Sequence, residues 1–187
     1  MQFNKSGLAI GQIAPSFSLE SSLGTTISLE DYREKKDILL LFMRYLGWPV
    51  CKYELVQLKK DYPTLQAKDI ELLVVLQSLR DKVGEFAKKH GLPFLCLADP
   101  EGNTYQLYLV PKASWGQYLS PKVFLPVLKA TFSGFFHGKF EAEERQLPGL
   151  FLIDKKGVLR FKYIGQHPAD TLSIEEVLRE IDMLKLF

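Results

Sequence analysis

Three short apolar runs, residues 37–43 (DILLLFM), 70–76 (IELLVVL) and 94–97 (FLCL), constrain the fold more than any other feature of this chain. Each reads as a buried strand. The stretches between them place apolar residues at helical spacing: 53–60 (YELVQLKK) after the first run, and 80–90 (RDKVGEFAKKH), closed by Gly91, after the second. Strand, helix, strand, helix, strand in that order indicates parallel βαβ units with right-handed crossovers, because parallel neighbours need a long connection and a helix supplies it.

The flanks read as additions to this α/β centre. Residues 16–19 (SFSL) and 25–29 (TTISL) alternate apolar and polar around Ser22-Leu23-Gly24, a short antiparallel hairpin, and Glu30-Asp31-Tyr32 looks like one helical turn. A short helix over 101–109 follows the Asp99-Pro100 turn signal. The stretch 111–144, with three prolines and many aromatic residues, predicts an irregular, partly helical insertion that is too apolar for a linker. Residues 150–154 and 158–164, joined by Lys155-Lys156-Gly157, predict a hairpin appended antiparallel to the sheet. Ile174 to Leu186 is amphipathic, starting at Leu172-Ser173, with Ile174, Val177, Leu178, Ile181 and Leu184 at helical spacing.

The 187 residues suit one domain, 1–187, with 111–144 inserted in it. A hydrophobic fraction of 47% beside 25% charged residues is that of a globular chain. Net charge of +2 gives no electrostatic case for nucleic acid or an anionic membrane. Two cysteines and three scattered histidines offer neither a disulfide framework nor the four ligands of a structural zinc site, and no metal or cofactor is expected. Met1-Gln2-Phe3-Asn4-Lys5-Ser6-Gly7 leads into no signal-like apolar run, and no stretch approaches the roughly 20 residues that cross a bilayer, so a reducing, cytoplasmic setting is the expectation.

The candidate for chemistry is the segment Arg44-Tyr45-Leu46-Gly47-Trp48-Pro49-Val50-Cys51-Lys52. It places Cys51 at a helix N-terminus, where unpaired amides and the positive end of the dipole favour the reactive thiolate. The competing account is a buried cysteine behaving as a small hydrophobe. Cys96 lies two strand positions from the strand that delivers Cys51, ~10 Å away at about 4.8 Å per strand and beyond the roughly 7 Å Cα limit for a disulfide. It reads as core. Among the histidines, His90 caps a helix end, His137 sits in the insertion, and His167 follows the last strand; none has an adjacent ligand or nucleophile.

Several blocks together resemble one family. Gly11-Gln12-Ile13-Ala14-Pro15-Ser16-Phe17-Ser18-Leu19 with Gly24 and Ile27-Ser28-Leu29, Leu92-Pro93-Phe94-Leu95-Cys96-Leu97-Ala98-Asp99-Pro100 with Tyr105, and Leu147-Pro148-Gly149-Leu150-Phe151-Leu152-Ile153-Asp154 with Gly157 are similar in order and spacing to the peroxiredoxin-like (AhpC/TSA) branch of the thioredoxin-like superfamily. Within it, Arg44, Gly47, Cys51 and Lys52 resemble the group whose active segment carries CxxC or selenocysteine-xx-Cys, here WPVC. The resemblance implies a thioredoxin-like central mixed β-sheet flanked by helices, with an N-terminal hairpin and an irregular helical insertion. It implies an antioxidant oxidoreductase in which Cys51 reacts with peroxide or an oxidised thiol and is regenerated by an external thiol such as thioredoxin or glutathione. Arg44, Gly47, Trp48, Pro49, Lys52 and Pro148 would support it, and a homodimer is compatible with the family.

Two positions depart from the pattern. Trp48 stands where this group carries its first redox residue and ordinary peroxiredoxins carry the threonine of TxxC, so no local dithiol forms and a peroxide-binding hydroxyl is missing. Pro148 stands where typical peroxiredoxins carry an arginine; thioredoxin-like proteins commonly have a cis-proline there, so a cis Leu147-Pro148 bond is expected. Arg44 or Arg145 is left to supply the charge, the competing account for both being a solvated arginine. A redox-inactive thioredoxin-fold binding module, with Trp48 plugging the old site, and a monothiol disulfide oxidoreductase are the alternative functions.

Overall fold

In the computed structural model, which describes residues 7–171 and 173–185, the elements in chain order are β1 (Ser18–Ser21), β2 (Thr26–Ser28), a 3₁₀ turn (Leu29–Tyr32), β3 (Asp37–Phe42), α1 (Pro49–Ala67), β4 (Ile70–Leu76), α2 (Arg80–His90), β5 (Leu95–Ala98), α3 (Asn103–Leu107), α4 (Trp115–Tyr118), α5 (Pro121–Phe132), β6 (Gly149–Ile153), β7 (Leu159–Ile164) and α6 (Ile174–Lys185). The readings of Met1 to Ser6, of Leu172 and of Leu186 lie outside the described residues, as do the side chains of Ile181 and Leu184.

Among the described residues the strands form one mixed sheet in the order β2-β1-β5-β4-β3-β6-β7. The three apolar runs are its middle: β3 pairs parallel with β4, and β4 with β5. The flanking hairpins attach antiparallel, β1 to β5 and β6 to β3. Alternation within β3 explains why its run is apolar throughout. Leu39, Leu41 and Met43 enter the core under α1, whereas Ile38, Leu40 and Phe42 enter the core on the other face with Tyr105, Tyr108 and Phe151.

Local chemistry sets the helix ends. Pro49 occupies the first turn of α1, where its missing N–H costs nothing, and Trp48 before it is extended. Gly91 closes α2 with φ +56, a left-handed backbone that glycine adopts freely. The first hairpin begins two residues later than its alternation suggests, at Ser18, and the insertion is more helical than its prolines suggest. Pro121 starts α5 at a position that tolerates proline, and Ser120 caps it by accepting from the Lys122 amide at 3.4 Å.

Candidate active site

β3 ends at Phe42, and the chain turns through Met43–Trp48 into α1, so Cys51 stands in the first turn of a helix at the C-terminal edge of the parallel strands. That edge is where open α/β sheets place their ligands. The Trp48 side chain makes no capping bond, leaving the first amides of α1 without a side-chain partner.

Cys51 itself is only 3% exposed. Burial pushes its thiol up to about 12, while the Arg44 charge and backbone amide pull it down, Glu54 adds a smaller upward push, and Lys52 a smaller downward one. This corrects the expectation of a standing thiolate: in the closed site, desolvation outweighs the neighbouring positive charges. Both cysteines are free, and Cys96 shares the same core face, its thiol also pushed up to about 12 by burial alone. Because only Cys51 has cationic neighbours, mass-mapped iodoacetamide labelling is expected to modify Cys51 before Cys96, and Cys96→Ser to leave that reactivity unchanged.

Arg44 is wholly buried, not a solvated surface residue. Its Nη2 donates to Glu144 Oε2 at 3.0 Å, and its guanidinium lies 4.0 Å from the centre of the Trp48 ring. Glu144 also accepts from the Tyr45 hydroxyl and, at 3.2 Å, from the Tyr118 hydroxyl. Burial and the bond to Glu144 raise the Tyr45 pKa strongly. Among the described residues, Arg44 Nε and Nη1 are buried without a partner. Arg145 goes elsewhere, over the Trp115 ring at 4.9 Å and beside Glu143 at 3.6 Å. Of the two arginines considered from sequence, Arg44 is the one whose charge and backbone amide act on the Cys51 thiol.

The end of the insertion is strapped across this loop. Lys52 Nζ donates to the Phe136 carbonyl at 2.7 Å, and the Gly138 amide donates to the Gly47 carbonyl at 2.8 Å. Ser78 Oγ accepts from the Leu46 amide at 2.9 Å and donates to Glu141 at 2.8 Å, while Lys82 reaches the other Glu141 oxygen at 2.9 Å. Gly47 is required by this closeness, since a Cβ there would collide with the Lys139 carbonyl oxygen and the Tyr45 ring. Gly47→Ala is therefore expected to cost about 1–3 kcal/mol, read as a lowered urea midpoint. An open cavity of about 420 Å³ lies beside the strap, lined by Leu46, Lys52, Lys82, Phe86, His90 and Phe136 among others.

Pro148 follows a trans bond, correcting the cis expectation; its carbonyl accepts from the Gly165 amide at 2.9 Å, and its ring packs against Gly165. Since Phe42 pairs with Gly149, Pro148 stands at the next register position, opposite Met43. His90 packs its ring on Phe86 at 4.3 Å instead of capping α2, and His137 stands edge-on to Trp48 at 5.8 Å. Sequence reasoning missed Glu144, Ser78 and Glu141, and gave Tyr45 no role although it lies in the candidate segment. The run Glu141-Ala142-Glu143-Glu144, the first carboxylates after Glu101, was the available signal for two of them.

The arrangement and order of elements match known proteins. The sequence profile of the AhpC/TSA family matches residues 10–162. The chain is 32% identical over 169 residues to peroxiredoxin Bcp of Bacillus subtilis, covering 88% of this chain and 93% of that one. The chain belongs to the AhpC/TSA family. Its fold is shared with a yeast mitochondrial 1-Cys peroxiredoxin (TM-score 0.70, 20% identity, 96% of this chain and 77% of that one) and with peroxidoxin BcpB of Mycobacterium tuberculosis (TM-score 0.67, 14% identity, 95% and 97%). In this AhpC/TSA protein the arginine whose charge acts on Cys51 is buried and paired with a half-buried carboxylate, Glu144.

Proposed function

We propose that this protein is a thiol peroxidase that works through Cys51 alone. The observation that carries the reading is the pair of unpartnered N–H groups, Nε and Nη1, on a buried Arg44 whose charge acts on the Cys51 thiol. Buried donors without partners are costly, and a peroxide oxygen or the leaving alkoxide can occupy them. Arg44 would then do what Pro148 cannot, lowering the thiol pKa and polarising the peroxide, with Trp48 and Pro49 excluding water and Gly47 and Lys52 fixing the loop.

In the reaction, the Cys51 thiolate attacks one peroxide oxygen and the O–O bond breaks; the sulfur becomes a sulfenic acid and the other oxygen leaves as an alcohol or water after taking a proton. An external thiol displaces water to give a mixed disulfide, and a second thiol releases Cys51. With Cys96 on a separate strand and free, no internal partner is assigned. The yeast 1-Cys peroxiredoxin is described as resolved by the glutathione and thioredoxin systems, which makes either thiol a candidate reductant here. The expected setting is cytoplasmic.

A second reading, the redox-inert module, is favoured by the burial of Cys51 and its raised pKa. Intact-mass analysis after substoichiometric hydrogen peroxide, with and without a sulfenic-acid trap, separates the two. A trapped adduct mapped to Cys51 is the expected result; an unmodified Cys51 beside surviving peroxide assigns the module instead.

A further inference from the structure

The insertion carries a feature that the redox chemistry does not use. From Gly102 to Phe140 the chain has four lysines (Lys112, Lys122, Lys129 and Lys139) and no carboxylate, although the whole chain holds 22 acidic residues. Over the same stretch Trp115, Leu119, Phe124, Leu125 and Phe132 are exposed, the last at 84%, and so are Phe136 and Phe140.

Helix geometry organises the exposed set. At about 100° per residue, Phe124, Leu125, Leu128 and Phe132 of α5 fall within one arc of about 100°, and Lys122 and Lys129 border that arc. Val123 and Ala130, which are buried, lie on the opposite side. The helix is thus apolar on two faces, and only one of them packs on the protein. Lys112 pairs with Glu143 at 2.8 Å and Lys129 lies 5.1 Å from the Tyr53 ring centre, whereas Lys122 and Lys139 have no ion pair among the described residues.

We infer that α4 and α5 dock this face on an anionic lipid surface. α5 lies in the interfacial plane with Phe124, Leu125, Leu128 and Phe132 at the acyl boundary and the lysines at the headgroup phosphates. Two contrasts select this occupant. Docking patches for proteins are depleted in lysine, whereas lysine beside Phe, Trp and Leu is the composition of an interfacial helix. A second copy of the chain would bring lysines against lysines with no carboxylate between Gly102 and Phe140 to meet them. Trp115, with Arg145 over its ring, supplies an aromatic and a cation of the kind that settle at headgroup level. No helix among the described residues is long and apolar enough to cross a membrane, so this attachment is peripheral.

Vesicle flotation tests it. The full chain is expected to float with vesicles of equal parts phosphatidylglycerol and phosphatidylcholine, to float less in high salt, and to stay below with phosphatidylcholine alone. Because Trp48 is buried, a blue shift in tryptophan emission on adding the anionic vesicles reports Trp115. Phe124→Ser with Leu125→Ser and Phe132→Ser is expected to abolish flotation, and Lys122→Glu with Lys139→Glu to weaken it about tenfold or more. Circular dichroism and sulfenic trapping at Cys51 are expected to stay unchanged in both variants. Absence of flotation by the wild-type chain, equal flotation of the triple serine variant, or a wild-type dimer in solution that the serine substitutions dissolve would each overturn the inference.

Discussion

Replacing Cys51 with serine is expected to lower peroxide consumption by about a thousandfold or more, to the background set by the reductant. Removing a covalent nucleophile costs that much because the hydroxyl remains un-ionised and cannot carry the sulfenic intermediate. The substitution also sets a hydroxyl in a buried position, at about 1–3 kcal/mol, so Cys51→Ala belongs beside it as a variant that keeps the site apolar. Both are expected to retain the wild-type circular dichroism spectrum and to lose activity together. The measurement is peroxide loss under excess dithiothreitol; consumption at the wild-type rate by either folded variant would sink the assignment of Cys51. The contrast with Cys96→Ser, expected to be active, makes the result specific to the thiol in the first turn of α1.

The sheet was legible because the signal is written in short range. A run such as 70–76, apolar except for Glu71, buries its apolar side chains on both faces as a strand within a βαβ unit, and β4 spans those same residues. Boundaries slipped where two periods overlap: Phe17 continues the alternation of the first hairpin but packs under Leu29 and Tyr108 without being a strand residue. Cys51 was legible for the same local reason, lying between a strand and a helix. What surrounds it was not, because Glu144 is 100 residues from Arg44 and no periodicity links them. A lone arginine at a strand end reads as solvated until its partner is known. The cis bond expected at Leu147-Pro148 was an analogy, and the trans backbone instead gives the Pro148 carbonyl to Gly165. Net charge misled differently. A value of +2 averages over the chain and conceals a stretch from Gly102 to Phe140 that is basic without exception.

The Arg44–Glu144 pair carries the second large effect, and it separates stability from catalysis. Glu144→Ala leaves a fully buried guanidinium without its counter-charge and takes the acceptor from Tyr45 and Tyr118. Removing one member of a buried pair costs about 3–5 kcal/mol; the Glu144 side chain is 26% exposed, so water recovers part of this and about 2–3 kcal/mol is expected in urea unfolding. Arg44→Met together with Glu144→Ala removes both charges and is expected to be more stable than Glu144→Ala alone. Activity follows the opposite order. Arg44 is the main group holding the Cys51 pKa down against burial, so its loss raises that pKa, and the acid limb of the peroxidase pH profile moves to higher pH. With the proposed peroxide donors gone as well, Arg44→Met is expected to lose about a hundredfold in kcat/KM. Arg44→Lys restores the charge but not the planar guanidinium with its separate Nε and Nη1 donors, so it is expected to recover the pH profile without recovering the rate. A lysine variant with full activity would show that charge alone is sufficient and that the unpartnered N–H groups play no part in the chemistry.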